Sequence, residues 1–151
     1  MHIAIGADQG GYELKQKIVE FLVAEDYEVL DLGIHEPKSI DYPDIAEEVA
    51  DIVAAGEADR GIIICGTGIG VSITANKVSG IRAALCTDCY MARMARQHND
   101  AQVLCLGERV TGAGLALDIV QTFLIGEFEG GRHARRVGKM NELDNKEESY
   151  A

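Results

Sequence analysis

Basic residues are scarce in this chain: 14 lysines and arginines stand against 25 aspartates and glutamates, a formal charge of −11. No basic stripe is left to track a phosphate backbone, which excludes nucleic acid as a partner. Long apolar runs are missing as well, and none approaches the roughly 18 residues that a membrane span needs. Met1 leads into an apolar strand with no charged leader and no cleavage site, so the sequence predicts a cytoplasmic protein without membrane contact. Prolines number only two, Pro37 and Pro43, and no linker or internal repeat divides the 151 residues. With 47% hydrophobic residues, a single domain over 1–151 can bury about 70% of its unfolded surface.

Four cysteines in an acidic, reduced protein stay as thiols rather than forming a disulfide framework. Cys86 and Cys89 make a C-x-x-C, but both prolines lie upstream, so the downstream cis-proline of thioredoxin-like sites is missing. No second ligand pair accompanies the motif, which removes a zinc site. A buried strand closing at Cys86 and a helix entered at Cys89 account for the spacing, and a redox role for the pair is left open.

What the chain does have is the stretch GIIICGTGIGVSITAN at 61–76. Ile62, Ile63 and Ile64 form a β-branched run without polar alternation, the pattern of a strand covered on both faces. Cys65 lies at its carboxyl end. Gly66, Gly68 and Gly70 lack Cβ atoms, so the backbone can turn sharply and bring the N–H groups of the 66–70 loop, those of Thr67 and Ile69 included, close to an anion. A helix from about 69 to 78 follows. A thiol held there can serve as base or nucleophile. The spacing is G-x-G-x-G, with Val71 where the dinucleotide fingerprint needs glycine or alanine, and Asp88 is no substitute for its acidic partner. No Gly-Lys-Ser/Thr closes the loop, so nucleoside triphosphates are excluded too.

Strands are predicted at 2–6, 27–32, 61–65, 81–86 and 102–106. Helical spacing follows each: Leu14, Ile18, Phe21 and Leu22; then Ile45, Val49, Ile52 and Val53 behind Pro43 in a first turn; then 69–78, 88–97 and 112–124. The 33–41 segment is the one long irregular loop. Five β-α units imply an α/β, Rossmann-like domain, a five-stranded parallel sheet with helices on both faces, expected in the order 2-1-3-4-5. Ligands bind outside the carboxyl ends of strands where the order reverses. Asp8 and Gln9 after strand 1 and the glycine loop after strand 3 flank that crevice, with Arg109 after strand 5 on the same edge. Toward the chain end, Arg132, His133, Arg135 and Arg136 reverse the local charge. That run reads either as a solvated helix face or as an anion site.

The segments ICGTGIGVSITANK, RQHND (96–100), DYPD (41–44) and EGGRHARR (129–136) together resemble ribose-5-phosphate isomerase type B, a family that includes subunits of galactose-6-phosphate isomerase. The resemblance spans nearly the whole chain. It implies an aldose–ketose isomerase of the pentose phosphate pathway, working through an enediolate without metal or organic cofactor. Cys65 is then the base between C1 and C2, and His98 helps open the furanose ring. Asp8 holds sugar hydroxyls and assists ring opening, while Thr67 and Asn99 bind sugar oxygens. Arg109, Arg132 and Arg136 neutralise the phosphate, and Gln9, Tyr42, His133 and the backbone of Gly66, Gly68, Ile69 and Gly70 complete the substrate contacts. Cys65, RQHND and GGRH favour the ribose enzyme over galactose-6-phosphate isomerase subunits. Gln9 stands where the family has histidine and cannot become cationic. Isomerisation of allose 6-phosphate, galactose 6-phosphate or a tetrose phosphate therefore stays open, as does a non-catalytic sugar-phosphate sensor.

Chain direction adds one expectation. Each helix runs back from the carboxyl edge, so His98 and Asn99, ending helix 4, emerge at the opposite edge from Cys65. Arg132 and Arg136 share that position. A homodimer with shared sites resolves it, the partner supplying these residues and the 131–151 helix and tail reaching across, with a higher oligomer left open.

Overall fold

The architecture follows from alternation along three strands of a computed structural model that describes residues 1–146. In β3 (Arg60–Cys65), Ile62 and Ile64 face one way and Ile63 and Cys65 the other, and all four are buried. The first pair joins Ile3 and Ile5 of β1 (His2–Ala7) and Leu104 and Leu106 of β5 (Val103–Gly107). Against them pack α1 (Tyr12–Ala24), α4 (Cys89–Gln97) and α5 (Ala113–Ile125). The second pair joins Ala4, Val103 and Cys105, covered by α2 (Tyr42–Ala54) and α3 (Ile69–Ala75). The sheet is thus sealed on both faces, each fully buried Ile or Leu contributing about 1.5–3 kcal/mol. β2 (Glu28–Asp31) and β4 (Ala83–Leu85) complete five parallel strands. α6 (Arg132–Glu142) follows α5 and runs into a 3-10 turn at Leu143–Asn145.

The strand order is 2-1-3-5-4, not 2-1-3-4-5. Burial explains the exchange. All five residues of β5 are buried, whereas β4 is three residues long and only half-buried throughout. A wholly apolar strand gains most inside the sheet, and a short half-covered one suits the edge. The order still reverses between β1 and β3, but Gly107 of β5 now pairs directly with Cys65. α3 ends at Ala75, three residues before its expected end.

Two close approaches place the elements around the crevice. A Cβ on Gly6 would lie 2.6 Å from Ile45 Cγ1, so α2 rests directly on β1. That contact carries Tyr42, at the start of α2, over the glycine loop, where a Cβ on Gly70 would lie 2.5 Å from the Tyr42 ring. No helix among the described residues is long and apolar enough to cross a membrane.

Candidate active site

At the carboxyl edge of the sheet the chain ends of β1, β3 and β5 interlock. Cys65 is 5% exposed, and its Sγ accepts the Gly68 N–H at 3.1 Å. Gly68 reaches that position only through its left-handed backbone, φ 82. The Cys65 carbonyl accepts the Glu108 N–H and the Gly66 carbonyl the Arg109 N–H, both at 3.0 Å. A Cβ on Gly66 would lie 3.1 Å from an Arg109 guanidinium nitrogen, so the cation stands beside the glycine loop. The corrected strand order causes this proximity, because no strand separates β3 from β5. Thr67 is exposed, and its Oγ1 accepts the Ile69 N–H at 3.2 Å.

Asp8 closes the other side. It is 6% exposed, its Oδ1 accepts the Gly10 N–H at 2.9 Å, and a Cβ on Gly10 would lie 3.0 Å from Gly66 N. The loops after β1 and β3 are therefore in contact. Gln9 Oε1 accepts the Ile40 N–H at 3.0 Å, which ties the far end of the 33–41 loop over this edge. Its near end is tied by Asp31, which accepts both the Gly33 N–H and the fully buried Lys15 ammonium, the latter at 2.6 Å. Between Asp8, Gln9, Ser39 and residues 42–44 lies a cavity of about 440 Å³.

A second cluster forms elsewhere. His98 ends α4, and its ring stacks on that of His133, centroids 4.0 Å apart and planes within 8°. Glu129 Oε1 lies 3.3 Å from His98 Nε2 and 3.9 Å from His133 Nε2. His133 and Val137 form the buried side of α6, while Arg132 and Arg136, four residues apart, are exposed on another. Burial first, then the charges of His98 and Arg132, hold the His133 pKa below that of an ordinary imidazole. The three ligand atoms of His98, Glu129 and His133 lie within 4.8 Å of one another. Face-to-face rings nonetheless keep their in-plane lone pairs in two nearly parallel planes, which do not meet at one ion.

The turn that carries His98 and Asn99 sits at the amino edge of the sheet. Arg82, just before β4, donates to the Asn99 carbonyl and the Asp100 carbonyl, both at 2.9 Å. Arg96, 3% exposed, donates to Asp100 Oδ1 at 3.0 Å and the Ala101 carbonyl at 2.7 Å. By register Ala83 is level with Val103 and Gly61. Arg82 therefore stands about five residues, or about 17 Å of strand, from the level of Cys65. The candidate residues thus divide into a carboxyl-edge group (Asp8, Gln9, Tyr42, Cys65, the 66–70 loop, Arg109) and a group built on α4 and α6 (His98, Asn99, Arg132, His133, Arg136). α6 also lies against its own chain, Arg82 donating to Asn141 Oδ1 at 2.9 Å and Gly80 N–H to Asp144 Oδ2 at 2.8 Å. The tail predicted to cross to a partner includes 147–151, which lie outside the described residues.

Sequence reading missed Glu129, Arg82 and the pairing of Arg96 with Asp100 as parts of this architecture. For Glu129 the available signal is its place four residues before His133. In the C-x-x-C both cysteines are free thiols, Cys86 buried and Cys89 partly so, and burial, then Asp88, push the Cys86 thiol up to about 12. Asp88 caps α4, its Oδ1 accepting the Met91 N–H at 2.7 Å.

A family model described as Ribose/Galactose Isomerase matches residues 3–140. Ribose-5-phosphate isomerase B of Escherichia coli is 48% identical over 144 residues, 95% of this chain and 97% of the relative. D-erythrulose-4-phosphate isomerase of Pectobacterium atrosepticum is 44% identical over 149 residues, 97% of each chain. The solved structure of Clostridium thermocellum ribose-5-phosphate isomerase B shares 60% identity and superposes with a TM-score of 0.95 over 100% of both chains. With a family model covering nearly all of it and relatives this similar end to end, the chain belongs to the ribose/galactose isomerase family.

Proposed function

We propose that this protein interconverts ribose 5-phosphate and ribulose 5-phosphate through an enediolate, with Cys65 as the base that moves a proton between C2 and C1. The observation that carries the reading is the Gly68 N–H held 3.1 Å from Cys65 Sγ at the end of β3. The sulfur that would do the chemistry is thus fixed at the mouth of the glycine loop, and as a thiolate it is the form that can abstract a proton. The exposed Thr67 and the remaining loop N–H groups supply donors to the developing oxyanion, typically worth a few kcal/mol each. Asp8 and Tyr42 line the sugar's place. The Arg109 guanidinium beside Gly66 starts a phosphate site that Arg132 and Arg136 complete. Asn99 binds a sugar oxygen, and His98 opens the furanose ring, an imidazole being able both to take and to return a proton.

Because the two groups of residues occupy opposite edges of the sheet in one chain, the working unit is a two-fold dimer in which each crevice takes His98, Asn99, Arg132 and Arg136 from the partner. No cofactor enters this chemistry. A tetrose phosphate is the second reading, favoured by the similarity to an erythrulose-4-phosphate isomerase and by a neutral Gln9.

Incubation with ribose 5-phosphate, allose 6-phosphate, galactose 6-phosphate and erythrose 4-phosphate, following ketose formation, separates the substrates. Fastest turnover of ribose 5-phosphate is expected. Turnover of none, with binding retained, makes the protein a sensor. Cys65→Ala is expected to slow isomerisation by orders of magnitude with sugar-phosphate affinity within about tenfold, since proton transfer is made only in the transition state. Near-normal turnover in that variant removes Cys65 as the base.

A further inference from the structure

Glu129 has no place in the reading above, yet it touches the residue assigned to ring opening. Its Oε1 is 3.3 Å from His98 Nε2, and its own N–H donates to the Gln97 carbonyl at 3.0 Å, so the carboxylate is carried on a segment tied to the end of α4. The stack on His133 fixes the plane of the His98 ring. It does not fix which way round the ring lies, because a half-turn about Cβ–Cγ leaves the plane unchanged and carries Nε2 away from the carboxylate. His133 cannot make that choice, being buried with its Nε2 lacking a hydrogen bond.

We propose that Glu129 is the positioning residue of ring opening: its carboxylate, at ion-pair distance from His98 Nε2, favours the ring orientation and tautomer that turn Nε2–H toward it, leaving Nδ1 as the free base. The proposal rests on the assignment of His98 to ring opening. In that step Nδ1 takes the proton of the C1 hydroxyl as the C1–O4 bond breaks and the aldehyde forms. It then returns the proton to O4, so the imidazole ends as it began. The carboxylate stabilises the transient imidazolium without itself gaining a proton.

Ribulose 5-phosphate supplies the test, because its O5 is esterified and it cannot close a furanose ring. Uptake of deuterium from D2O at its C1 reports the enediolate step without ring opening. In Glu129→Gln, conversion of ribose 5-phosphate is expected to fall at least about tenfold while C1 exchange stays within about twofold of the parent, and Glu129→Asp recovers part of the loss. Equal losses in both reactions, or no loss in either, overturn the proposal. A readout independent of any substrate is the 15N spectrum of His98 with its ring neutral: an Nε2–H tautomer is expected, and an Nδ1–H tautomer overturns the proposal. A parent protein that neither converts nor exchanges the pentose phosphates defeats the assigned function, and the tautomer then decides the role of Glu129 alone.

Discussion

At Gly68 a Cβ would lie 2.5 Å from Leu85 Cδ1 and 2.9 Å from the Leu106 carbonyl carbon, on a backbone at φ 82. Gly68→Ala is therefore expected to destabilise the fold by about 2–4 kcal/mol, from left-handed strain and overpacking together. Gly138 lies inside α6 with nothing within 4 Å of its missing Cβ, so Gly138→Ala should instead stabilise by up to about 1 kcal/mol. Urea midpoints of the two variants give the opposite signs. His133 sets a pH dependence. Its folded pKa lies below the ordinary value of 6.5, so the unfolded chain binds the extra proton. Its stabilising effect is complete above the unfolded value and is lost as pH falls through the window beneath it. His133→Phe keeps a flat face for His98 but cannot titrate. The fall in urea midpoint between about pH 7.5 and about 5.5 should be smaller in this variant than in the parent. Cys65, Asp8 and the glycines were legible in the sequence because strand and turn place them through their immediate neighbours. Glu129 and Arg82 were not, because each acts on a residue distant in sequence through a contact that only the folded chain makes.

Element by element, the five β-α units and the two covered faces were readable from apolar spacing, while the exchange of β4 and β5 was not. Spacing reports that a strand is buried but not which neighbour it takes. The relevant signal, five buried residues against three half-buried ones, separates centre from edge only once both strands are compared. The α4–β5 turn shows how an element end is held. Asp100 adopts φ 48 while its carboxylate meets Arg96, almost wholly buried, and lies 3.6 Å from Arg82. Removing it takes away the carboxylate paired with Arg96 and one of the two that act on each of Arg60 and Arg82, leaving them Asp59 and Asp144 respectively. Asp100→Ala is expected to cost about 2–3 kcal/mol, below the full penalty of a buried pair because Asp100 is partly exposed. Asn tolerates the left-handed backbone, so Asp100→Asn should cost less. Equal costs of the two variants in thermal melts would show that the lost charge, common to both, and not the turn, is the main contribution.

For the whole molecule, the deciding fact is the separation of the two residue groups by the length of a strand. A histidine side chain cannot span about 17 Å, so Cys65 and His98 of one chain do not meet over one substrate. Proteins carrying Cys65→Ala and His98→Ala, each inactive alone, are therefore expected to regain activity when unfolded together and refolded as a mixture. In a mixed dimer one crevice collects both substitutions and the other collects neither. Random pairing makes about half of the dimers mixed, and each has one intact site of two, so activity should approach about a quarter of the parent's at equal protein. The measurement needs mixed dimers to be quantified directly, by differential tagging and sequential capture. Mixed dimers present in that proportion but without activity would mean that both residues act from one chain, and the two-fold sharing of sites would fall with them.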